Sequence, residues 1–173
     1  MDKLVKYAKE AINAFVKKGE ILEFEDLDEK KGVFVTIYKG KELRGCIGYP
    51  YPDKLGKILG RAAAGACTDP RFPPLSEDEL DKIRVEVTLL EKPKEFKCKK
   101  EEIPKKIEIG KHGLIVEQGF LSGLLLPQVA VEENMSPEEF LDATCWKAGL
   151  PPGCWLDPKT KVYYFEGKVL KED

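Results

Sequence analysis

The segment Leu43-Arg44-Gly45-Cys46-Ile47-Gly48 puts a guanidinium two residues from a thiol in a stretch that reads as a β-strand. Alternate residues of a strand share a face, so Arg44 and Cys46 would project together, opposite Leu43, Gly45 and Ile47. A cation beside a thiol favours the thiolate, which is the nucleophilic form. Gly45 and Gly48 have no Cβ and leave room for a ligand or another backbone to come close. The pattern suits a reactive thiol or an anion-binding surface. Spacing alone equally allows a cysteine packed as a small hydrophobe, with Arg44 paired to a carboxylate.

Three further residues could join that chemistry. Asp69 and Arg71 flank Pro70 in the run Asp69-Pro70-Arg71-Phe72-Pro73-Pro74, where they could face a ligand or pair with each other and lock the loop. His112 is the only histidine and could act as a base for Cys46, with Asp69 orienting the imidazole. A glycine-flanked histidine before a strand also has a plain reading as a turn residue. No metal is expected, because one histidine and five cysteines without a Cys-x-x-Cys pair give no ligand spacing. No cofactor fingerprint is present, and none is expected.

These residues must be positioned by surrounding elements. Apolar residues at Val5, Ala8, Ala11, Ile12, Phe15 and Val16 keep helical spacing, and Gly19 supplies a stop. Val33 to Tyr38 and Leu43 to Tyr49 read as a hairpin turning at Lys39-Gly40-Lys41-Glu42. Asp53 is placed to cap a helix ending near Cys67. Its small residues, including Gly56, Gly60, Ala62 and Ala63, would let another backbone approach. The proline-rich run after Asp69 must be a stiff loop. Ser76 and Glu79 have capping-box spacing, and Ile83 to Leu89 alternates as a half-buried strand.

Farther on, Leu114 to Glu117 reads as a strand, and Pro127 as the end or edge of the next. Ser136-Pro137 opens a helix that should stop at Gly149, and Val162 to Phe165 is the last strand. Helices mixed with antiparallel strands, without regular βαβ alternation, indicate an α+β fold.

Composition sets outer bounds. At 173 residues, 42% hydrophobic and 35% charged, the chain is long enough for a real core and too apolar for disorder. No apolar run approaches the length of a membrane span, and the first residues lack a signal-peptide pattern, so a cytoplasmic protein is expected. The five cysteines are an odd set and are expected to be reduced thiols. A net charge of −2 gives no general reason to expect a nucleic-acid partner. Seven lysines between Lys92 and Lys106 could touch phosphate, but read first as a solvated, mixed-charge surface. Abundant Lys and Glu hint at a thermophilic source.

The hexapeptide Leu43 to Gly48 resembles the signature of the AMMECR family. In the same order, Asp69 to Pro74, Gly110-Lys111-His112-Gly113-Leu114, Leu125-Leu126-Pro127-Gln128-Val129-Ala130 and Lys147-Ala148-Gly149-Leu150 are similar to further family blocks. The resemblance spans most of the chain and implies one AMMECR-type domain over residues 1–173. The implied fold is α+β, with a central, mostly antiparallel sheet flanked by helices and two unequal, tightly joined subdomains. Prokaryotic members resemble the first component of a three-part system with a Memo-type protein and a radical S-adenosylmethionine enzyme, which become the implied partners. The functional expectation is a cleft around Leu43–Gly48 that binds a small molecule or modified substrate through Arg44, Gly45, Gly48, Asp69 and Arg71. Cys46, with His112, would be its reactive group. A protein-interaction adaptor presenting Tyr49, Tyr51 and Phe72 is the alternative, and RNA binding a third.

Overall fold

A computed structural model describes residues 1–173, whose contacts gather into two units, Met1–Glu91 with Lys168–Asp173, and Lys92–Gly167. The first unit opens with helix α1 (Lys3–Lys18), which buries Val5, Ala8, Ala11 and Ile12 on the face expected from their spacing. Gly19 ends it in the left-handed region, with φ 68°. Strands β1 (Lys30–Lys39) and β2 (Glu42–Lys54) form the expected hairpin, and β3 (Ile83–Leu90) pairs antiparallel with the other edge of β1. Val35, Ile37, Val85 and Val87 pack with α1 and with helix α2 (Leu55–Cys67) into one core.

The small face of α2 has the expected use. A Cβ at Gly60 would lie 1.8 Å from the carbonyl oxygen of Leu22, so the irregular segment before β1 runs directly on the helix. This contact also explains why Asp53 is not the cap. Lys54 holds the cap position without a side-chain bond, while Asp53 belongs to β2. The amides at the helix start are satisfied by backbone instead, Leu55 N–H donating to Glu29 at 2.8 Å and Gly56 N–H to Leu27 at 3.1 Å.

In the second unit, β5 (His112–Gln118) pairs antiparallel with β6 (Leu121–Leu125) and with β7 (Lys161–Lys171), and the short β4 (Lys94–Glu95) adds to β7. Helices α3 (Ile103–Lys106), α4 (Pro127–Glu132) and α5 (Pro137–Lys147) complete it, with Phe140, Leu141, Leu114 and Val162 in the core. Ser136 caps α5 as expected, its hydroxyl accepting the Glu139 N–H at 3.2 Å. Pro127 is not a strand end. It is the first residue of α4, where a missing N–H breaks no helical bond. β7 runs past Phe165 through the charged Glu166-Gly167-Lys168, and its residues from Lys168 belong to the first unit.

The cysteine reading needs correction. Cys145 and Cys154 form a disulfide with Cα atoms 5.9 Å apart, because the turn after α5 brings the chain back within nine residues. The odd number is therefore one bridge and three free thiols, Cys46, Cys67 and Cys98. No helix is long and apolar enough to cross a membrane.

Candidate functional site

The hexapeptide lies in β2 opposite β1, but its alternation is broken. Ile37 pairs with Gly45 and Tyr38 with Leu43, so Arg44 is the extra residue of a β-bulge. The guanidinium is thereby re-aimed onto the loop and turn that follow α2. Its Nε and Nη2 each donate to the Glu79 carboxylate at 3.0 Å, while Nη1 donates to the Pro73 carbonyl at 2.8 Å. Glu79 is buried and also accepts from Lys39 Nζ, the Ser76 N–H and the Ser76 hydroxyl. The Arg44 bonds, followed by those of Ser76 and Lys39, hold its carboxyl far below the usual carboxylate range despite burial. Arg44 is thus a clamp whose donors are occupied by the protein. The thiol that feels its charge is Cys67, which burial nevertheless pushes up to about 12.

Cys46 is held differently. Its N–H donates to Asp69 Oδ2 at 3.0 Å, and its Sγ lies 3.3 Å from the hydroxyl of Thr36, its cross-strand partner on β1. Asp69 is 3% exposed and also accepts from the Arg71 N–H and Nε at 3.1 Å each and from Nη2 at 2.8 Å. These Arg71 bonds, with the Cys46 and Arg71 amides behind them, lower the Asp69 carboxyl to about 2 against the cost of burial. Arg71 is held protonated first by Asp69 and, to a smaller degree, by the charge of Cys46. Arg71 is therefore a cation that senses Cys46. Its side chain is 59% exposed and lies over the Phe72 ring, 5.5 Å from the centroid.

The glycines of the motif serve packing. A Cβ on Gly45 would lie 2.1 Å from the Ala66 carbonyl oxygen, and one on Gly48 would lie 2.3 Å from the Phe34 ring. Of the two occupants expected, a ligand or another backbone, it is backbone that approaches at Gly45, and the Phe34 ring and Val33 carbonyl that approach at Gly48. His112 is buried at the start of β5, where Nδ1 accepts the Glu108 N–H at 3.0 Å and Nε2 lies 3.6 Å from Glu166. All of these partners belong to the second unit. The Asp69 carboxylate accepts four hydrogen bonds, all from Cys46 and Arg71.

Two contributors escape the sequence reading. Thr36 is one of several β-branched residues in its strand, and Glu79 carries only a capping-box signal. Glu79 is the shared acceptor that ties β1, β2 and the proline loop together.

Similar proteins come from archaea, several of them thermophiles. A Thermococcus gammatolerans protein is 48% identical over 98% of this chain and 89% of its own length. Protein Mbar_A1807 of Methanosarcina barkeri is 49% identical over 97% of this chain and 88% of its own. The crystal structure of the uncharacterized protein PH0010 from Pyrococcus horikoshii has the same α+β fold, with a TM-score of 0.88 at 47% identity, covering 98% of this chain and 90% of that one. The AMMECR1 family model matches residues 5–170, from the first buried turn of α1 to the penultimate residue of β7, and the chain belongs to that family.

Proposed function

We propose that the surface formed by Cys46 and Arg71, with the buried Thr36 hydroxyl behind the thiol, binds a small molecule or modified substrate carrying a negative group. Arg71 meets the charge, and the Cys46 thiol stands against the bound molecule. Arg44, Gly45, Gly48 and Asp69 form the frame of this site. The observation that carries the reading is that one buried carboxylate, Asp69, holds both the Cys46 amide and the exposed Arg71 guanidinium, fixing thiol and cation in register. Such pre-organisation is more than a closed loop needs, because a loop that only satisfied itself would leave the cysteine out of the network. The site would work within a multicomponent enzyme, with a Memo-type protein and a radical S-adenosylmethionine enzyme as partners. An adaptor role is the second reading, favoured by Tyr49 and Tyr51, which are 38% and 51% exposed in β2.

The test is alkylation of the native protein by iodoacetamide, followed by mass spectrometry across neutral to mildly alkaline pH. Cys46 should react faster than Cys67, which is 2% exposed with its thiol pushed up to about 12. Arg71→Gln should slow Cys46 several-fold, whereas Arg44→Gln should act mainly on stability. A Cys46 that reacts only after denaturation would remove the thiol from the site.

A further inference from the structure

We propose that the second unit carries a separate binding site for a phosphorylated aromatic molecule of nucleotide size. The site is a cleft of about 750 Å³ whose rim includes Lys92, Lys94, Lys97 and Lys106. Its volume falls in the range of clefts that enclose small ligands, roughly 300–1,000 Å³. The inference goes beyond the Cys46 surface and does not depend on it.

Charge is the first observation. None of these four lysines lies within ion-pair distance of a carboxylate. Glu95 and Glu166 also line the cleft, giving 4 − 2 = +2 for the charged lining, and Glu166 already faces Lys111 at 3.6 Å. A chain with a net charge of −2 thus gathers uncompensated cations around one concavity. Lysine ammonium groups at such a rim act as point charges for phosphate oxygens.

Shape is the second. Phe96, Tyr164 and His112 line the same cleft, with ring centroids 4.7 Å apart for Phe96 and Tyr164 and 5.1 Å apart for His112 and Tyr164. Strand pairing fixes them, since Lys94 sits opposite Tyr164 and His112 opposite Glu166. The imidazole accepts from Glu108 at Nδ1, and its Nε2 is directed toward Glu166. The half-buried Tyr164 hydroxyl has no hydrogen-bond partner within the protein and remains available to a ligand. An aromatic floor beneath a cationic rim suits a ring bearing a phosphate, for which stacking and charge act together. The acidic net charge of the whole chain favours a free small molecule over an extended polyanion.

Cys98 lines the cleft as a free thiol and reports on its occupancy. The full chain would be titrated with ADP while alkylation of Cys98 and Cys46 is followed by mass spectrometry, with affinity measured by calorimetry. Saturable protection of Cys98, with the Cys46 rate unchanged, is expected. The double variant K97Q/K106Q should keep its melting temperature and raise the ADP Kd by about tenfold or more. Ribose 5-phosphate, which lacks the ring, should bind about tenfold more weakly than ADP. Absence of protection at millimolar ADP, or an unchanged Kd in K97Q/K106Q, overturns the site. Equal binding of ribose 5-phosphate overturns its aromatic half. A uridine hexanucleotide that protects Cys98 at about 100-fold lower concentration, with steep salt dependence, would overturn the free-ligand reading and assign the groove to a nucleic-acid strand.

Discussion

Replacing Asp69 with Asn tests the frame of the site most directly. The substitution keeps the size of the side chain and one oxygen acceptor, but removes the charge and turns an NH2 group toward Arg71 or the Cys46 amide. Asp69 is 3% exposed, and its carboxyl is lowered from the ordinary 3.8 to about 2. The difference, 3.8 − 2 = 1.8, at about 1.4 kcal/mol per pH unit, corresponds to about 2.5 kcal/mol. Because the Arg71 side chain is 59% exposed, solvent screens the pair, and about 2 kcal/mol is the fairer expectation. The sign follows from the depressed folded value: the contribution is complete above the unfolded value near 3.8 and is lost as pH falls through about 2. By that relation about half should be gone at pH 3. Urea denaturation of both proteins between pH 7 and pH 3 should show a gap of about 2 kcal/mol that narrows as the acid form is populated. Equal stability at pH 7, or a gap independent of pH, would refute the idea that the Asp69 charge organises the loop. Cys46 alkylation in the same variant separates frame from chemistry, since loss of the Asp69 bond should change its rate while leaving that of Cys98 alone.

Other substitutions probe the elements behind the site. Ser136→Ala should lower stability by about 1 kcal/mol in urea melts by deleting the cap of α5. Gly60→Ala would drive a Cβ to 1.8 Å from the Leu22 carbonyl oxygen, so a thermal melt should show a loss of roughly 1–3 kcal/mol. A neutral result would mean that the segment before β1 yields easily. Reducing the Cys145–Cys154 bridge, which closes a nine-residue separation, should cost about 2.5 kcal/mol on the chain-entropy account, read as a lower melting temperature in dithiothreitol.

Local signals in the sequence were enough for much of the architecture. The spacing of Val5, Ala8, Ala11 and Ile12, the Gly40 turn and the Ser136-Pro137 start each depend on neighbours within a few residues, and each forms as read. The site was legible by residue and less so by pairing. Cys46, Asp69 and Arg71 do come together, but the bulge at Arg44 arises from how β2 matches β1, which no periodicity within β2 reveals. Arg44 consequently donates to Glu79, 35 residues away. The cap of α2 was misread because backbone carbonyls before β1 do the work assigned to Asp53. The disulfide was missed because neither an odd count nor a nine-residue spacing distinguishes a bridge from two buried thiols.

The division of β7 between units has a consequence for biogenesis. Lys92–Gly167 is one uninterrupted stretch, whereas the unit holding Cys46 is discontinuous and includes Lys168–Asp173. During synthesis the continuous stretch can be complete before those closing residues leave the ribosome. Late contacts such as Glu172 with Lys9 at 2.8 Å and Lys171 with Glu86 at 3.8 Å cannot form until then. A released chain truncated after Gly167 should therefore keep the Cys98 cleft protease-resistant while the Cys46 surface is open to digestion.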